Sequence, residues 1–144
     1  MDAHVTDVVR EMTLASDEER ILFPQIVANL MEVGVERYHA DLVAGTKTYY
    51  LPNGEFEEVR SHSPSAPASD FDAAAVEAAV RASQRQEIQY REFCERVAAA
   101  GCVGYFVSLV GRRATYYGRT SETHVEYFPG TEPPRSRDAD PSRS

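Results

Sequence analysis

The chain has few thiols, almost no lysine and no long apolar run. Two cysteines, Cys94 and Cys102, cannot make a disulfide scaffold, so a reducing cytoplasm is the expected compartment. Charge or glycine breaks every apolar stretch well short of the roughly 18 residues a membrane helix needs, so no membrane partner is expected. The opening Met1-Asp2-Ala3-His4 is acidic, and no basic-then-apolar signal segment follows it. Fourteen of the 15 basic residues are arginine, with Lys47 the exception, which reads as a coding bias. The four histidines, at 4, 39, 62 and 124, have no metal-ligand spacing. There is no CxxC, no local Cys-His pair and no phosphate-cradling glycine loop. No cofactor and no metal follow from such a sequence.

With 144 residues, 42% hydrophobic and 26% charged, the chain has the makings of one globular domain. Its net charge of -8 would repel a phosphate backbone over most of the surface, which argues against nucleic acid as a partner. Val5, Val8, Val9 and Met12 place one apolar stripe on a first helix, with a break expected at Ala15–Arg20. The Ser16…Glu19 spacing has the form of a capping box, while Pro24 favours a later start for the second helix, at about 24–33. Strands are expected at 35–43, 46–51 and 55–59, and Ala44-Gly45 reads as a two-residue turn between the first two. A mobile Ser/Pro linker at 60–69 leads to helices at about 71–84 and 90–100, then strands at 103–110, 113–118 and 122–128. The domain is expected to span 1–128, and the polar, proline-rich tail at 129–144 cannot bury apolar surface and is expected to be disordered.

Slid along itself until Gly34 falls on Gly101, the chain aligns with itself without a gap. Tyr38 then falls on Tyr105, Leu42-Val43 on Leu109-Val110, and Thr48-Tyr49-Tyr50 on Thr115-Tyr116-Tyr117. The repeated unit, about 23–59 and 90–126, is a helix, a glycine stop and a hairpin. It predicts an α+β domain in which two helix–hairpin units share one mainly antiparallel sheet, with a seam between halves where ligands are often found.

Phe23-Pro24, Gly34-Val35, Thr48-Tyr49-Tyr50, Asn53-Gly54, Tyr90, Phe93-Cys94, Ala98-Ala99-Ala100-Gly101 and Thr115-Tyr116-Tyr117 carry a further likeness. In order and spacing they resemble a small bacterial family of unknown function whose members are often labelled "phage envelope protein" (YbcV-like). Arg91 departs from it, standing where the family tends to place a proline. The resemblance implies the fold and a prophage or virion association, and it supplies no catalytic residues.

Strand alternation separates two faces of the sheet. Tyr38, Ala40, Leu42, Tyr49 and Leu51, with Tyr105, Val107, Leu109, Ala114 and Tyr116, form the core face. The second face mixes aromatic and polar groups. There the candidate ligand or interface residues are His39, Asp41, Tyr50, Phe106, Ser108 and Tyr117. A two-residue turn sets His39 opposite Tyr50 and Phe106 opposite Tyr117. Routine cross-strand packing of aromatics competes with the site reading. His39 and Asp41, two apart on one strand, are about 7 Å apart along it, too far for a direct hydrogen bond unless they lean together. Both cysteines read as small buried hydrophobes. The sequence thus points to a non-catalytic binding or assembly module, self-associating or taking a small molecule or a protein. The alternatives are an enzyme at the seam, with His39 or His124 as acid/base and a tyrosine as donor, and a phage-derived structural component.

Overall fold

The computed structural model describes residues 1–131. The expected disordered tail lies, from residue 132 onward, outside the described residues. Ten elements follow one another: α1 (Ala3–Asp17), α2 (Phe23–Glu32), β1 (Arg37–Asp41), β2 (Thr46–Tyr50), β3 (Phe56–Arg60), α3 (Ala73–Gln84), α4 (Tyr90–Ala99), β4 (Cys102–Ser108), β5 (Arg113–Gly118) and β6 (Thr123–Tyr127). The six strands make one antiparallel sheet in the order β3-β2-β1-β4-β5-β6. The fold is therefore α+β, with the helices on one face of the sheet.

Alternation decides which face that is. Tyr38, Ala40, Tyr49, Tyr105, Val107, Ala114 and Tyr116 are all buried and meet Ile26, Leu30, Val76, Phe93 and Val97 from the helices. Their neighbours in sequence point the other way, onto a face that no described helix covers. In the pairs α2 and α4, β2 and β5, and β3 and β6, both elements begin at positions that the self-alignment superposes. Gly34 and Gly101 follow α2 and α4 with the same φ of +88°, which an L side chain resists.

Two local readings need correction. The break expected at Ala15 does not occur, because Ala15 and Ser16 face the core and carry α1 on to Asp17. Ser16 is thus interior and caps nothing. The β1–β2 connection is a four-residue turn, 42–45, and not the two-residue turn expected. Asp41 pairs with Thr46, so His39 faces Thr48, and Arg37 faces Tyr50. In the other half Phe106 faces Thr115 and Gly104 faces Tyr117. The slip is two residues, an even number, so the register changed while the assignment of residues to faces held.

Residues 61–69 form no helix or strand, yet they are tied down. The Ser61 amide donates to Gly45 O at 2.9 Å, the Ser63 hydroxyl to Leu42 O at 2.8 Å, and the Ala68 amide to Ala98 O at 2.9 Å. Small side chains let this backbone lie close to the hairpin turn and to the end of α4, whose last carbonyls need donors. No helix among the described residues is long and apolar enough to cross a membrane.

Candidate functional site: an open sheet face and a seam cavity

The six sequence-derived candidates all lie on the uncovered face, but the structure gives them different tasks. Asp41 Oδ1 accepts from the amides of Val43 and Ala44, at 3.0 and 2.9 Å, and so closes the first hairpin turn. Ser108, its counterpart in the second half, accepts from the Gly111 amide at 2.8 Å and closes the second. Tyr50 lies beneath the Arg37 guanidinium, 4.0 Å from its ring centre, and beside Phe56. The remaining three converge. His39 Nε2 sits 2.7 Å from the Tyr117 hydroxyl, and the His39 and Phe106 rings are 4.4 Å apart. Burial lowers the His39 pKa from its ordinary value, with the Asp41 charge opposing. It raises that of Tyr117.

This trio depends on an absence. A Cβ at Gly104 would stand 2.5 Å from the Tyr117 hydroxyl, so glycine lets the phenol lie across β4 and reach His39. In the first half the equivalent position holds Arg37, whose side chain covers Tyr50 instead. Around the trio the open face exposes apolar surface: Phe106 is 50% exposed, Phe56 62% and Val125 41%. His124 is not part of it. It pairs with Tyr116 across β5 and β6, on the helix-covered face. The four residues His39, Tyr50, Tyr117 and His124 therefore do not meet in one pocket.

On the helix side, at the seam between halves, there is a cavity of about 480 Å³. Tyr38 and Tyr105, from the two central strands, line it together with Phe23 and Ile26 of α2, Tyr90 and Phe93 of α4, and Ile88. The first turns of α2 and α4 both border it. The Tyr90 and Tyr105 hydroxyls are 3.1 Å apart. Burial raises the pKa of Tyr38, Tyr90, Tyr105 and Tyr116, which holds each as a neutral phenol.

Two charged side chains line the cavity while themselves buried, Lys47 at 4% exposure and Glu126 at 6%. Glu126 is well partnered. Arg81 donates to Oε1 at 2.7 Å and His124 Nε2 lies 2.6 Å from Oε2. Lys47 has no ion pair among the described residues; its ammonium lies 4.4 Å from the centre of the Tyr90 ring. Burial lowers its pKa, opposed by Cys94 and Asp17. The Cys94 thiol is itself pushed up to about 11 by burial, as is Cys102, so both stay protonated and act as packing groups.

Lys47 is the residue that sequence reading missed, and its signal was present. It stands two before Tyr49 on a strand whose other inward residue is core, so alternation put a lone lysine on the buried face. A buried cation is costly unless something offsets it, which marks such a position for attention.

Residues 13–126 match the model of a family described as "Protein of unknown function (DUF1398)". An uncharacterised protein of Mycobacterium bovis, Mb2035, is 29% identical over 122 residues, covering 77% of this chain and 69% of its own length. The uncharacterised Mycobacterium tuberculosis proteins MT2067 and Rv2012 match to the same extent. The chain carrying this open sheet face and this seam cavity belongs to the DUF1398 family of proteins of unknown function.

Proposed function

We propose that the protein is a non-catalytic binding module that holds a small organic molecule in the seam cavity. One observation carries the reading: a 480 Å³ cavity, walled by aromatic and aliphatic side chains, has on its wall a buried lysine with no ion pair among the described residues. Ligand sites typically combine an apolar lining of this size with a few fixed polar groups. The two halves read as a duplicated unit, and the cavity lies where they join. Ala114 is the counterpart of Lys47 in the second half and also borders the cavity, so the second half leaves open what the first half fills. Two free, buried thiols suit a reducing compartment such as the cytoplasm. The test is a ligand-observed NMR screen of small aromatic and aliphatic fragments against the wild type and Ala114→Leu, which fills the cavity. Fragments that bind the wild type and are lost in the variant support the reading. Fragments indifferent to Ala114→Leu overturn it.

A second reading, self-association through the open sheet face, is favoured by Phe106, Phe56 and Val125, exposed on a surface that no described helix covers. Phe106→Glu should then lower the mass in native solution, and a monomeric wild type would end this reading. A phage-derived structural role predicts large assemblies in the same measurement. Acid–base catalysis at the seam is not favoured by either histidine: His39 is on the other face, and His124 adjoins the cavity only through Glu126.

A further inference from the structure

We infer that the occupant of the seam cavity is an amphipathic monocarboxylic acid, its carboxylate set against the Lys47 ammonium. The inference rests on the cavity reading above and adds the chemical class of the ligand. It starts from an imbalance between the two buried charges on the cavity wall. Glu126 has both oxygens occupied by Arg81 and His124. Lys47 is buried as deeply and, among the described residues, has only the face of the Tyr90 ring. Asp17 acts on Lys47 through space without forming an ion pair; its Oδ2 accepts from the His62 amide at 3.1 Å, and its buried Oδ1 has no partner among the described residues. A desolvated ammonium with no carboxylate within ion-pair distance among the described residues leaves a place for one from outside the chain.

The surroundings narrow the anion. Among the described residues Lys47 is the one basic side chain that lines the cavity, while Glu126 and Glu19 also line it. A dianion such as a phosphate monoester would meet a single cation and two carboxylates, whereas one carboxylate balances one lysine. The phenols of Tyr90 and Tyr105 adjoin, and the one that does not donate to the other can donate a hydrogen bond to a carboxylate oxygen. The remaining lining, Ile26, Ile88, Phe93 and Val107 among it, gives an apolar body somewhere to pack.

The experiment uses matched pairs of probes, octanoate with 1-octanol and 4-phenylbutyrate with 4-phenylbutan-1-ol. Each is titrated by NMR into the full chain, the wild type alongside Lys47→Met and Lys47→Gln. At least one acid should bind the wild type about tenfold or more tighter than its alcohol, a difference of about 1.4 kcal/mol. Both variants should bind the acid and the alcohol alike. Equal affinity of acid and alcohol for the wild type overturns the carboxylate assignment and leaves the cavity reading standing. An acid preference that survives in both lysine variants also overturns it. Absence of binding by all four probes overturns the inference, while the fragment screen with Ala114→Leu separately decides the cavity reading.

Discussion

Alanine placed at Gly34 and, separately, at Gly101 makes the same backbone change in two different surroundings. Both residues follow a helix with one buried apolar stripe, and both have φ at +88°, so the left-handed penalty is common to the pair, about 1–2 kcal/mol. At Gly34 a Cβ would meet nothing within 4 Å. At Gly101 it would stand 2.1 Å from Asp70 O and 2.8 Å from the Phe71 Cα, both main-chain atoms that cannot rotate away. The Asp72 amide also donates to Ala100 O at 2.8 Å, so any retreat of this segment strains that bond as well. Forcing a methyl group into packed structure adds about 1–3 kcal/mol. The expected costs are therefore about 1–2 kcal/mol for Gly34→Ala and about 2–5 kcal/mol for Gly101→Ala. Urea denaturation followed by circular dichroism measures both, and an unchanged slope would tie the shift in midpoint to stability. Equal costs at the two sites would refute the argument, because only the contact with residues 70–71 separates them.

Three further outcomes test the site residues. Lys47→Met removes a buried charge with no ion pair among the described residues and keeps the stem's volume, so the free protein should gain about 1 kcal/mol, the lost contact with Tyr90 partly offsetting the relief of desolvation; a loss of stability in urea would mean that the ammonium is compensated within the fold. Because the His39 pKa is lowered in the folded state, the unfolded chain takes up a proton there first as pH falls below about 6.5. Stability from this group is complete above that pH and is lost as pH falls through the lower folded value, so His39→Gln should flatten the acid limb of the thermal midpoint. Tyr117→Phe should cost less than about 1 kcal/mol near neutral pH, as expected for a half-exposed position.

Local signals in this sequence are strong where one residue decides the backbone. Asn53-Gly54, Gly34 and Gly101 place their turns correctly because positive φ excludes most other residues. Alternation identified the buried face of β1, β2, β4 and β5, since a strand has only two sides. The hairpin register was not legible. Turn length depends on whether Asp41 and Ser108 fold back to cap amides two or three residues on, and many loop lengths suit the same residues. The candidate site was legible in part. His39, Phe106 and Tyr117 share a face by parity alone, but their meeting rests on Gly104, whose missing side chain signals nothing until β4 lies beside β1. The seam cavity depends on how α2 and α4 dock on the sheet, a long-range arrangement that periodicity does not encode.

The register of the central strand pair has a consequence for how this molecule can vary. His39 faces Phe106, and the self-alignment superposes these two positions, so a twofold relating the halves would run between them. Two copies of a half-length chain assembled about that axis would place one residue type opposite itself there, and every substitution would appear twice. A continuous chain is released from that constraint. It can set an imidazole against a phenyl ring on the axis, a guanidinium at Arg37 against bare backbone at Gly104, and an ammonium at Lys47 against a methyl group at Ala114. Of these pairs only Lys47 and Ala114 border the seam cavity, so its wall carries an ammonium at one position and a methyl group at the counterpart, an inequality that a symmetric dimer could not have.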